Sequence, residues 1–153
     1  MHVIIMQGLP GSGKSLFARN YANDRVESYH DPIVSADQFF SMLGRFDPKR
    51  LPEAHSFCMV EYIRHLRSKG DLVIVDNTNT QRWEHRPYRS LAYAMGYKYN
   101  IVNLFDAGLD DEQLAKRNRH GVPEETIGRM RERYVQPYDN EIDADLQKYS
   151  LSY

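Results

Sequence analysis

Cysteine is nearly absent. The 153 residues contain one, Cys58, which excludes a disulfide framework and a multi-cysteine zinc site and suits a reducing compartment. A lone thiol of this kind reads as a small buried hydrophobe. No apolar run approaches the roughly 18 residues that a membrane span needs, and the start MHVIIM has no basic region ahead of its apolar stretch. Neither a membrane span nor a signal peptide is expected, and the expected location is the cytoplasm. No sign of charge dominates either: 20 Lys and Arg face 21 Asp and Glu, a formal charge of −1. That balance excludes a surface built as a whole to coat nucleic acid or dock on a membrane. It is uneven along the chain, with −3 from Tyr134 onward and +2 before it, so a polyanion would meet the main body. His55, His65 and His85 pair with no Cys or carboxylate at metal-ligand spacing, and no protein-built metal cage is expected.

Against these absences stands an alternation of apolar runs and helical stretches, in a length suited to one domain. HVIIMQ reads as a strand, followed by a glycine loop and a helix over Ser15 to Ala22. PIVS is a short strand; in SADQFF, Ser35 and Gln38 have capping-box spacing, which puts Asp37 in a helix's first turn. PEAHSFCMVEYIRHLRSKG reads as a helix closed at Gly70, and LVIVD as a buried strand with Asp76 at its carboxyl end. PYRSLAYAMG predicts a helix begun by Pro87 and ended by Gly96, and YKYNIVNLF another strand. DDEQLAKRNRH and PEETIGRMRERY carry acids in the first turn and cations in the last, as helices prefer. Strands alternating with helices imply an α/β fold, with a mostly parallel sheet covered on both faces and ligands gathering beyond the strands' carboxyl ends. Gly8, Asp37 and Asp76 all fall on that edge.

The segment GLPGSGKSLF carries the sharpest signal. Gly8, Gly13, Lys14 and Ser15 satisfy G-x-x-x-x-G-K-[ST] between a strand and a helix, the context the motif requires. Curled backbone N–H groups over Gly11, Ser12 and Leu16, in a loop shaped by Pro10, would converge on phosphate oxygens, with the helix's positive end behind them. Lys14 would bridge the β and γ phosphates and Ser15 would ligate Mg²⁺. The GTPase signatures D-x-x-G and N-K-x-D are missing, and the chain is short for a motor ATPase, which leaves a small kinase.

A kinase must orient an acceptor hydroxyl and neutralise the moving charge. Asp37 is the candidate acceptor-orienting base, its alternative role a helix-capping acid. Asp76 and the following NTN, with Asn77 and Asn79, could hold Mg²⁺ waters or the acceptor sugar, or form a plain turn. KRNRH, with Lys116, Arg117, Arg119 and His120, stands where a cationic lid belongs, although cations at a helix end also answer the dipole. Arg82, Arg86 and Arg89 could form a stripe for the acceptor's phosphates, weakened by Pro87. Phe39 and Phe40 either stack on a base or pack in the core. Arg129, Arg131 and Arg133 read mostly as a solvated face.

Taken together, the loop, SADQFF, VIVDNTN and KRNRHGVP resemble the P-loop kinase domain of polynucleotide 5'-hydroxyl kinases. The version most similar is that of the animal ubiquitin-ligase-binding proteins that join such a kinase to a nuclease-like domain. The likeness runs from about Val3 to Tyr134. It implies a P-loop NTPase fold of the nucleotide-kinase type with four or five parallel strands, a kinase domain over 1–134 with its lid at about 110–133, and an acidic tail over 135–153. It implies ATP and Mg²⁺ at Gly8 to Ser15, Asp37 as activator of a 5'-hydroxyl, and a lid arginine on the ATP phosphates, Arg117 first and Arg119 second. The implied acceptor is the 5'-OH of RNA or DNA, with a nucleoside or small metabolite as the alternative acceptor and a nucleotide-gated binding module as the alternative class. Phage-type members place an arginine three residues after the catalytic acid, where this chain has Phe40.

Overall fold

Four apolar runs lie side by side in one parallel sheet. The computed structural model describes residues 1–25, 31–138 and 140. Its strands are β1 (His2–Gly8), β2 (Ile33–Val34), β3 (Leu72–Val75) and β4 (Lys98–Phe105), in the spatial order β2-β3-β1-β4 with every pairing parallel. The helices are α1 (Lys14–Asn23), α2 (Ala36–Leu43), α3 (Leu51–Ser68), α4 (Arg82–Ala94), α5 (Asp111–Arg117) and α6 (Glu124–Glu132), with a short 3-10 turn at Pro48–Arg50. Among the described residues no helix is long and apolar enough to cross a membrane.

Strand side chains alternate between faces, and β1 sorts its neighbours accordingly. Val3 and Ile5 pack with Val73, Val75 and Ile101 beneath Cys58, Tyr62 and Leu66 of α3 and Tyr88 and Ala92 of α4. Ile4 and Met6 pack with Ile74 and Val102 against Phe17, Ala18 and Tyr21 of α1. Helices therefore cover both faces, and the connections crowd the carboxyl edge, where β1 is flanked by β3 on one side and β4 on the other.

Two helix boundaries differ from expectation. The left-handed residue that ends α3 is Lys69, at φ 57°, and not Gly70. Helix α4 does not begin at Pro87: a capping box between Gln81 and Glu84 starts it, leaving Pro87 in the helix interior. The N–H that proline lacks would have met the carbonyl of Trp83, so α4 forgoes that bond.

Helices α5 and α6 stand on a separate small core of Leu9, Leu114 and Ile127. Arg131 locks them to the sheet and is not part of a solvated face. Its guanidinium donates to Asp111 at 2.8 Å, to the Leu109 carbonyl at 2.8 Å and to Asp106. Charge-assisted bonds of this kind each contribute more than neutral ones, so Arg131→Ala should cost about 2 kcal/mol in urea unfolding. Arg131→Lys should recover little, because one ammonium does not reproduce the planar fork.

The start of the expected tail runs back across the sheet edge. The Val135 carbonyl accepts from Gln7 Nε2 at 2.8 Å, the Val135 N–H donates to the Thr80 carbonyl, and Pro137 is buried. Residue 139 and residues 141–153 of that tail lie outside the described residues.

Candidate functional site

The loop from Leu9 to Gly13 turns the chain from β1 into α1. Gly13, at φ 100°, sits at the N-cap; no side chain caps the helix, and its first turn holds no acid. The positive end of α1 is therefore uncompensated, which is the condition for binding an anion. Gly11 has φ +83°, and a Cβ there would lie 2.4 Å from the Leu114 carbonyl oxygen. Only a glycine lets the loop come this close to α5.

Charged groups converge beside the loop. Lys14 is buried and donates through Nζ to the Leu9 carbonyl at 2.9 Å. Burial lowers its pKa, while the negative charges of Asp76 and Asp37 oppose that shift. Asp76 closes the neighbouring strand and is itself buried. Burial raises its pKa; Lys14, the Ser15 hydroxyl and Arg19 act in the opposite direction. One carboxylate oxygen of Asp76, Oδ1, is buried with no hydrogen-bond partner, as is the Ser12 hydroxyl. Buried polar atoms are normally satisfied, so orphans at the mouth of an uncapped helix fit a polar ligand. Phosphate with Mg²⁺ suits this donor set: Ser15 would ligate the ion directly and Asp76 would hold its waters.

Asp37 lies in the first turn of α2, behind a capping box of Ser35 and Gln38. Its Oδ2 stands 3.1 Å from His120 Nε2, in the loop between α5 and α6. The structure thus brings Lys14, Ser15, Asp76 and Asp37 to one place. Gly8 and Pro10 shape the loop's entry, and Leu16 is half exposed on α1. Arg117 ends α5, one turn beyond the Leu114 that abuts Gly11, and Arg119 follows it; both are exposed.

Four residues expected at the acceptor make contacts within the fold. Phe40 is buried with Ala36 and Ala54 and its ring packs on Phe46 at 4.8 Å, so it is core. Asn77 accepts from the Ala36 N–H at 2.9 Å and donates to Cys58 Sγ at 3.3 Å and to the Tyr88 hydroxyl at 3.5 Å, which fixes α2 to α3 and engages both amide hydrogens. Asn79, at φ 46°, donates to the Met6 carbonyl at 2.8 Å and holds the turn to β1. Arg82 donates to the Gln136 carbonyl at 3.0 Å and covers the Tyr138 ring at 3.8 Å, so an acceptor phosphate would have to displace that segment.

Sequence reasoning placed His120 in the lid without its partner and missed Asn118, which shapes the lid loop. The signal for Asn118 was present, since an asparagine three residues ahead of a glycine, as Asn118 is of Gly121, is turn chemistry.

Residues 3–137 match the family model described as AAA domain. The chain is 37% identical over 139 residues to NEDD4-binding protein 2 of Homo sapiens, a match covering 86% of this chain and 8% of that protein. It is 29% identical over 135 residues to 2',3'-cyclic-nucleotide 3'-phosphodiesterase of Mus musculus, covering 84% of this chain and 30% of that protein. The chain thus spans less than a third of the length of either relative. Among solved structures it resembles a gluconokinase from Sinorhizobium meliloti 1021, with TM-score 0.61 and 17% identity over 99% of this chain and 90% of that one. A chain of the Pnkp1/Rnl/Hen1 RNA repair complex gives TM-score 0.59 and 20% identity over 86% of this chain and 43% of that one. These likenesses establish the fold, a parallel sheet flanked by helices and entered through a glycine loop.

Proposed function

The chain belongs to the AAA domain family, and from that premise we propose that it is an ATP- and Mg²⁺-dependent kinase that moves the γ-phosphoryl group onto the 5'-hydroxyl of RNA or DNA. The observation that carries the reading is the convergence of Lys14, Asp76 and Asp37 at an uncapped helix N-terminus, close enough that both carboxylates act on the Lys14 ammonium. Backbone N–H groups from Gly11 to Ser15 bind the phosphates, Lys14 neutralises charge growing on the transferred group, and Arg117 and Arg119 close over it from α5. Bound Mg²⁺ supplies further charge neutralisation. Asp37 accepts the acceptor hydroxyl's proton and aims its oxygen at phosphorus. Residues 1–134 form the kinase unit, with 110–133 as its lid.

The resemblance of SADQFF, VIVDNTN and KRNRHGVP to polynucleotide kinases supports the acceptor class, as does the likeness to a chain of an RNA repair complex. A second acceptor class, a nucleoside or small metabolite, is favoured by Phe40. It is buried core where phage-type members carry a phosphate-holding arginine. Incubation with γ-labelled ATP and 5'-hydroxyl oligonucleotides, nucleosides and sugars separates the two: label on the oligonucleotide is expected. Label on a metabolite alone would sink the polynucleotide reading, and hydrolysis indifferent to every acceptor would point to an ATPase.

Nucleotide binding has its own check. At a ligand concentration of 100 Kd, MgATP should stabilise the fold by about 2.7 kcal/mol, a rise in Tm of roughly 5–10 °C for a chain of this size. Lys14→Ala should lose most of that rise.

A further inference from the structure

The lid loop makes one contact that phosphate binding does not require. His120 Nε2 meets Asp37 Oδ2 at 3.1 Å, with about half of each side chain exposed, 51% and 48%. The contact is built from both sides. On α2, the Ser35–Gln38 capping box sets the backbone direction and leaves the Asp37 carboxylate outside the cap. On the lid, Asn118 ties the loop into one shape. Its Nδ2 donates to the carbonyls of Ala115 at 2.7 Å and Val122 at 3.1 Å, and its Oδ1 accepts from the Val122 N–H at 2.8 Å. Below that loop, α5 rests on Gly11, so His120 reaches α2 from an element already seated on the phosphate loop.

A carboxylate half in solvent turns about its Cβ–Cγ bond unless something holds one oxygen. With Nε2 protonated, the imidazole donates to Oδ2 and leaves Oδ1 for the acceptor. Orientation weighs heavily in a loose phosphoryl-transfer transition state, where little covalent chemistry falls to the protein. We propose that His120 is a positioning residue: it fixes the Asp37 carboxylate for the acceptor hydroxyl and makes that aim conditional on a closed lid. The inference rests on Asp37 being the acceptor-orienting base.

The test is single-turnover and steady-state transfer from ATP to a 5'-hydroxyl oligoribonucleotide by the full chain, H120A, H120Q, D37N and the double variant H120A/D37N. H120A should lower kcat by up to about 100-fold, the scale of a 1 Å misplacement, with KM for ATP unchanged. H120Q, whose amide N–H reaches the same oxygen, should recover most of the loss, and H120A should add nothing in the D37N background, because both act through one group. An H120A kcat at or above that of the unaltered chain overturns the inference, as does a loss that multiplies with that of D37N or that H120Q fails to repair. A D37N protein that transfers normally overturns the base reading and this inference with it. A dead D37N beside an unaffected H120A overturns this inference alone.

Discussion

Asp37→Asn is expected to lower kcat for phosphoryl transfer by about 10²–10⁴-fold, the span that a positioned acid or base contributes, while ATP affinity stays where it was. The side chain is 48% exposed and the helix is capped by Ser35 and Gln38, not by Asp37. The substitution therefore removes a charge without opening a cavity or leaving a helix end bare. What it forfeits in stability is the attraction of one half-exposed carboxylate for the α2 dipole and for its His120 contact, each about 0.3–1 kcal/mol at an exposed site. A loss of transfer can thus not be blamed on unfolding. Calorimetry of MgATP binding on the same variant separates the two halves of the reaction, since the phosphate loop follows β1 and the acceptor base stands on α2 after β2. A binding module that does not turn over should tolerate the change in every assay. Transfer at the unaltered rate by Asp37→Asn would remove the kinase mechanism in the form argued above.

The parts of this site that were legible in the sequence are those fixed by local spacing. The glycine loop announces itself because four residues at set intervals allow a backbone to curl, Asp37 because a capping-box spacing puts it in a helix's first turn, and Asp76 because it ends an apolar run. Apolar runs recovered the strands, and caps and end charges most of the helices. Where a helix start used an uncommon cap, the reading slipped: Gln81 with Glu84 opens α4, whereas Pro87 offered the more familiar signal. Motif matching also does not say which way a side chain turns. Asn77 and Asn79 belong to the same DNTNT turn as Asp76, yet their amides bond to Ala36, Cys58 and Met6 within the fold. Contacts between distant segments were silent for a deeper reason. Neither the clasp of Val135 on Gln7 nor that of His120 on Asp37 leaves any periodicity, since each pairs residues that become neighbours only after the sheet has formed.

The site also carries a standing cost. Burial disfavours the charged forms of both Lys14 and Asp76, and each is the other's main relief. For Asp76 the sign is unfavourable at neutral pH. Its folded pKa is raised, so stability is lost as pH rises from the unfolded carboxylate value through the folded one, and it does not return above that. A core of ordinary design would replace such a pair with apolar side chains. Keeping the pair at the mouth of an open helix end fits a place held ready for phosphate and its counter-ion.

Adding a single methyl at Gly11 should disable both stability and the lid. The residue holds φ +83°, a conformation that costs a non-glycine side chain about 1–3 kcal/mol. The new Cβ would also stand 2.4 Å from the Leu114 carbonyl oxygen and 3.1 Å from that residue's carbonyl carbon and Cα. These are backbone atoms of α5, so no rotamer change relieves the clash, and overpacking of this kind adds about 1–3 kcal/mol. Strain and clash together, on the order of 3–5 kcal/mol, fall on a total that is typically only 5–15 kcal/mol; at roughly 2–4 °C per kcal/mol, Tm should drop by about 10 °C. The damage should also travel. The Leu114 carbonyl accepts the Asn118 N–H at 3.0 Å, so pushing it aside loosens the residue that shapes the lid loop, and His120 with it. Gly13→Ala supplies the control: its φ of +100° imposes backbone strain, but a Cβ there meets nothing within 4 Å. Hydrogen exchange should therefore quicken in α5 and at Asn118 for Gly11→Ala and stay unchanged there for Gly13→Ala. Equal Tm losses and equal exchange in the two variants would mean that α5 does not rest on the phosphate loop, and the coupling of lid to base would lose its foundation.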